Sequence, residues 1–326
     1  MFARRRAYQK KVGVAPFDGI ISTDGMVFRP KPNIYGSLLP FIVKSDHFMN
    51  YAINNSAGTM SPRVKWKDLQ NCEIKIPENE LQKKYSDLLW HLENTIILLN
   101  ERLTILDQLV KSRFIEMFGH INLNEKNLPM KTLNEVCLLV TDGSHYSPAD
   151  EPDGKYPMLS VKDLSNGKFN YSDCKHINQG EYDKLVKDGC KPIKNDVLIA
   201  KDGSVFQKSM IITDEIDQVI LSSIAIIRPD TDVANPVYLE RYLMSDYVKE
   251  DVINNYTTGT AIRRIILKNL AKLKLIVPEI EAQNEFASFV QQVDKSKFEL
   301  QKHLDDTKRL QKALINQAFD PKSVQN

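Results

Sequence analysis

The chain has 326 residues, with 44 Lys and Arg against 42 Asp and Glu and a formal charge of +2. That length exceeds one ordinary core and predicts two domains, and the near-neutral balance excludes a globally basic nucleic-acid binder, leaving any such surface to local clusters. Cys72, Cys137, Cys174 and Cys190 form no CxxC pair, no stretch of eighteen apolar residues occurs and no apolar h-region follows the basic start, so a reduced, cytoplasmic protein is expected, without zinc ribbon, disulfide scaffold, secretion signal or membrane span.

The start, MFARRRAYQKKVGVAPF, sets Arg4, Arg5, Arg6, Lys10 and Lys11 around Tyr8, the densest basic cluster in the chain. Phosphate contact is the functional expectation; a frayed, solvated start is the ordinary one. MVFRP at 26–30 predicts a strand ending in Arg-Pro, and SDHFMNYAINNSAGT at 45–59 a short helix running into an Asn-Asn and Gly-Thr loop. Thr59, Arg63 and Lys65, with Lys67, form a second basic group, and CEIKIP closes a strand at Pro77. From Glu78 to Phe118 there is neither Gly nor Pro. Leu92, Ile96, Leu99, Leu103, Leu106, Val110, Phe114 and Met117 recur there at spacings of three or four, which predicts a helix of roughly 40 residues, about 60 Å long, with an apolar seam.

Leu123 to Val277 is a globular stretch of short β-type runs (VCLLV, PMLSV, DVLIA, SMIIT, VILSSIAIIRP) punctuated by Asp-Gly, Asn-Gly and Pro turns, with helix expected near Asn235–Asn254. Two of its turns carry small donors and a cationic side chain: Gly143, Ser144 and His145, and then Lys201, Asp202, Gly203 and Ser204 followed by Gln207 and Lys208. An ordinary β-turn is the common fate of Asp-Gly, and a backbone that approaches phosphate is the functional alternative. His145 has no second ligand nearby, and Cys174 with His176 gives two at best, so no metal site is expected.

The segment RIILKNLAKLKLIVPEIEAQNEFASFV, Arg264 to Val290, then repeats RVKWKDLQNCEIKIPENELQKKYSDLL, Arg63 to Leu89, at a constant offset of 201 residues. Arg63 meets Arg264, Pro77 meets Pro278 and Gln82 meets Gln283. SDYVKEDVINNYTTGT at 245–260 and AIIRP at 225–229 extend the echo upstream, and Thr260, Arg263 and Arg264 answer Thr59 and Arg63. A second helix free of Gly and Pro follows from Glu279 to Phe319, with Val290, Val293, Leu300, Leu304, Thr307, Leu314 and Ala318 on its seam. Two seams in matched register predict an antiparallel helix pair. The first copy holds only the later part of the pattern, so a chain truncated at its amino end is expected.

Catalytic patterns are weak. Pro152-Asp153 followed by Asp173-Cys174-Lys175 fits a loose metal-dependent nuclease pattern that chance supplies often. No GxxxxGK[ST] loop and no Asn-Pro-Pro-aromatic or Asp-Pro-Pro-aromatic segment occurs, so chemistry is expected in partner chains. A coiled-coil scaffold that binds only protein is the rival class; salt-insensitive association without duplex binding would distinguish it.

The order of LKLIVPEIEAQNEF after GTAIRRIILKNL, its echo CEIKIPENELQKKY, TDGSHYSP with PMLSVKDL, and LIAKDGSVFQKSMII resembles the specificity subunit of Type I restriction–modification systems over the whole chain. The resemblance implies an α+β fold in which target-recognition domains, one partial (1–77) and one complete (120–278), are joined by two long antiparallel coiled-coil helices (78–119 and 279–326). It also implies a non-catalytic chain in which each domain reads half of a split target in double-stranded DNA. The helices would set the gap and dock methyltransferase subunits, and through them a restriction subunit. A second copy of the chain is a further partner the resemblance allows. S-adenosylmethionine, ATP and Mg would belong to the partner subunits, with no cofactor in this chain. The bases recognised are not legible.

Overall fold

The computed structural model describes residues 1–165, 167–259 and 263–321. Thr260 therefore lies outside the described residues. Contacts divide the chain into Met1–Leu106 with Lys295–Asn326, the first unit, and Asp107–Asp294, the second. Two 40-residue helices, Asn79–Phe118 and Ile280–Phe319, each contribute to both units.

In the second unit a four-stranded antiparallel sheet has the order Ser209–Ile211, Val197–Ala200, Ile224–Pro229, Cys137–Asp142. A three-stranded sheet places Tyr156–Leu159 between Lys175–Ile177 and Val219–Ile220. The central strands VLIA and IAII, the latter ending in Arg228-Pro229, read as apolar runs because both faces are covered. Val197, Ile199, Ala225 and Ile227 face one cluster with Tyr238, Tyr242 and Phe286, while Leu198, Ile224 and Ile226 face another with Leu159, Leu164 and Phe169. Asp196, fully buried, accepts from Arg228 Nε at 2.8 Å and Nη2 at 2.9 Å, a two-pronged bond at the end of the sheet.

The helix expected near Asn235–Asn254 is two helices, Pro236–Leu243 and Asp246–Asp251, followed by a π turn at Val252–Tyr256. The break is local chemistry: the Ser245 side chain accepts from the Val248 amide and restarts the helix. Helix Gln179–Lys187, capped by Asn178, had no expectation attached to it.

The aromatic rings of Phe114, Phe118, Tyr238 and Phe286 meet at centroid distances of 5.0 to 6.4 Å and fasten the ends of the two long helices that belong to this unit onto its core. Beside them lies the reason for one repeated residue. Buried Gln283 donates to the carbonyls of Pro278 and Val233 and accepts from the Asn235 amide.

The first unit repeats that device. Buried Gln82 donates to the carbonyls of Pro77 and Asn33 and accepts from the Tyr35 amide. Phe2, Phe48, Met49, Ala52, Val64 and Leu69 form one core. A second joins Leu38, Phe41, Ile42 and Leu89 to Ile315, Ala318 and Phe319, so the early part of the first long helix meets the late part of the second, as an antiparallel pair requires. Glu93 accepts from Lys44 and Gln311, each at 2.8 Å, across that pairing.

The predicted seam is graded. Leu92, Leu99, Val293 and Leu304 are buried, whereas Leu103, Leu106 and Leu300 are half-buried. Near the carboxyl end Ile315 is buried more fully than Leu314. Ile97, Leu98, Ile105, Phe298 and Leu310 stay exposed on the helices, more apolar surface than a two-helix seam can cover.

Candidate nucleic-acid interface

In the second unit, three sequence-distant turns meet. Residues 200–208 form a loop whose ends bond each other, with the Ala200 amide on the Lys208 carbonyl at 3.0 Å. Strand Arg264–Ile265 docks beside it: Ile265 N–H donates to Lys201 C=O at 3.0 Å and Gly203 N–H to Arg263 C=O at 2.8 Å. Gly203, at φ +70°, makes the turn without steric cost. Gly143 has a stricter requirement, because a Cβ there would lie 2.1 Å from the Ile220 carbonyl oxygen. That close approach lets Ser144 N–H donate to Ile220 C=O and brings His145 to the same edge.

Two carboxylates organise the cluster. Asp142 lies 3.1 Å from Lys201 Nζ and 3.2 Å from His145 Nε2, and Asp202 lies 3.7 Å from Lys201 Nζ and 4.0 Å from Arg264 Nε. The Lys201 and Asp142 side chains are each only 8% exposed, so Lys201 is an internal strut here and not a surface cation. Gly143 and Ser144 are likewise interior, Ser204 is half-buried, and Lys208 donates to the Val161 carbonyl at 2.9 Å. Among the side chains left to solvent are those of His145, Gln207, Arg263 and Arg264, with Gly203 backbone beside them.

The first unit builds the same loop from different residues. Ala3 N–H donates to Lys11 C=O, Val64 N–H to Arg4 C=O and Arg6 N–H to Pro62 C=O, each the counterpart of a bond just described. Arg6 occupies the left-handed position of Gly203, at φ +56°. Asp24 lies 3.2 Å from Arg5 Nη1 and 3.3 Å from Arg63 Nη2, and Arg5 Nε donates to Ser61 Oγ, so two guanidiniums are held side by side. Lys10 pairs with Asp46, while Arg6, Lys11, Thr59 and Lys65 are exposed.

Sequence inspection did not single out Asp24 or Asp142 and treated Asp202 only as a turn residue. The available signal was that TDG and KDG both put Asp before a glycine at the predicted contact turns. Asp153 and Asp173, the loose nuclease pattern, lie outside this cluster, and among the described residues no group of three or more His, Cys, Asp or Glu is placed to hold a metal ion.

The α+β unit fastened to a long helix pair is the fold of the solved S subunits compared below, and the family model for the Type I restriction modification DNA specificity domain matches residues 125–307. The chain belongs to that family, as a non-catalytic specificity subunit of the Type I class. It is 22% identical over 306 residues to the Type I restriction enzyme MjaIX specificity subunit of Methanocaldococcus jannaschii, covering 88% of this chain and 68% of that one. The MjaVIII specificity subunit of the same organism is 23% identical over 169 residues, 51% of this chain and 38% of its own. Among solved structures, the Type I restriction–modification S subunit from M. genitalium superposes with a TM-score of 0.53 at 14% identity, over 87% of this chain and 72% of that one. The HsdS subunit from Thermoanaerobacter tengcongensis gives 0.46 at 19% identity, over 87% and 70%.

Proposed function

We propose that the second unit reads one half-site of a bipartite sequence in double-stranded DNA, and that the long helices dock methyltransferase subunits and, through them, a restriction subunit. The observation that carries the DNA half is the convergence of His145, Gly203, Arg263 and Arg264 at one edge, with the Asp202 carboxylate 4.0 Å from Arg264 Nε. Arginine forks onto guanine or phosphate, and an exposed glycine backbone admits close approach of a phosphate. Arg5, Arg6, Lys11, Thr59, Arg63 and Lys65 offer the equivalent edge of the first unit. The docking half rests on the apolar side chains left exposed on the helices, Ile97, Leu98, Ile105, Phe298 and Leu310. S-adenosylmethionine, ATP and Mg act in the partner subunits, in the cytoplasm. Duplex binding by the assembled methyltransferase tests the proposal: affinity falling steeply with salt supports it, and salt-insensitive assembly without duplex binding returns the chain to a protein scaffold.

A further inference from the structure

The turn that brings His145 to the edge continues into a loop whose construction leaves one side chain unused. Buried Ser144 fixes the next corner twice, its Oγ donating to the Tyr146 carbonyl at 2.6 Å and accepting from the Tyr146 N–H at 3.0 Å. Lys175 Nζ fixes the residues that follow, donating to Ser147 Oγ at 2.7 Å and to the Pro148 carbonyl at 2.6 Å. The Tyr146 side chain takes no part in these bonds. It is 51% exposed, and among the described residues none hydrogen-bonds its hydroxyl. A large ring left to solvent would ordinarily swing between rotamers. Here Lys184, on the helix Gln179–Lys187, sets its ammonium 4.7 Å from the ring centroid and engages one face. Lys184 is itself exposed and forms no ion pair among the described residues, whereas the neighbouring Asp183 accepts from Gln179 at 2.8 Å. A positioned phenol and an uncompensated cation thus follow directly on His145.

We infer that Tyr146 is a specificity-determining residue that reads one base through its hydroxyl, and that Lys184 contacts the phosphate backbone beside it. Both roles rest on the second unit's binding of duplex DNA. With the Lys184 ammonium against one ring face, the ring offers a groove its polar edge. The hydroxyl there can both donate and accept, and base edges differ in which of the two they present. A neutral phenol draws little affinity from the charge of the duplex, while a lone ammonium draws nearly all of its affinity from it, so the two side chains leave different signatures. Positioning before contact lowers the entropy lost on binding.

The test uses the full chain assembled with its methyltransferase subunits. It reads the base sequence at methylated sites, together with affinity for a duplex of that sequence and for an unrelated duplex. Tyr146→Phe removes only an exposed hydroxyl. It is expected to make one position of one half-site degenerate, with discrimination there falling about tenfold and affinity for the unrelated duplex unchanged. Lys184→Gln is expected to weaken binding of both duplexes alike and to lower the salt slope by about 1, and Lys184→Arg to restore both. A Tyr146→Phe complex whose methylated sites match the parent's, or one that binds both duplexes equally more weakly, overturns the inference alone. A parent complex that binds no duplex overturns the DNA reading with it, an outcome visible before any variant is made.

Discussion

Lys201 and Arg264 show how a residue's role depends on what the fold brings to it. Both are cations at a predicted contact turn, yet Lys201 is sealed against Asp142, 59 positions away, while Arg264 faces solvent beside Asp202. Removing Lys201 leaves a buried carboxylate without its counter-charge. Lys201→Ala is therefore expected to destabilise the second unit by about 3 kcal/mol, measured by denaturant unfolding. Arg264→Ala should leave unfolding nearly unchanged and lower duplex affinity of the assembled methyltransferase, with the salt slope falling by about 1. Buried Gln283 holds three backbone groups, so Gln283→Ala is expected to cost about 2 kcal/mol, and an unchanged unfolding midpoint would contradict that role.

At the scale of elements, the long helices, the α+β character and the Arg, Pro and Gln echo were legible, because periodicity and fixed-offset repetition survive in local sequence. The equivalence of residues 3–11 and 200–208 was not, since main-chain bonds hold both loops and ARRRAYQKK need not resemble AKDGSVFQK. The interior position of Lys201 was hidden for a related reason, its partner being remote in sequence. The helix pair carries a pH dependence of its own. Burial alone would raise the pKa values of Asp46 and Glu93 above their ordinary 3.8 and 4.5, but bonds from Asn316, Lys312 and Lys10 to Asp46, and from Lys44 and Gln311 to Glu93, outweigh it and hold both lower. Their stabilising contribution is complete above those ordinary values and is lost as pH falls through the lower folded ones. Below about pH 4 the end of the second long helix should loosen first, seen as faster amide exchange around Asn316, and Glu93→Gln with Asp46→Asn should blunt that acid response. Leu99→Asp or Leu304→Asp places a charge in the buried seam and should impair assembly with methyltransferase subunits more than the fold of the second unit.

For the whole molecule, the proposal divides labour between a surface that selects bases and helices whose length sets the gap between half-sites. A heptad inserted after Leu99, matched by one near Leu300, keeps the apolar seam in phase and lengthens each helix by about 10.5 Å, roughly three base pairs. Given a complete first reader, that variant should methylate the same half-sites across a longer spacer. The most direct test exchanges residues 123–277 for the equivalent segment of another Type I specificity subunit and sequences the methylated DNA made by the assembled methyltransferase. The account predicts that one half-site changes while the other half-site and the spacer stay as they were. A changed spacer, or an unchanged pair of half-sites, would contradict it.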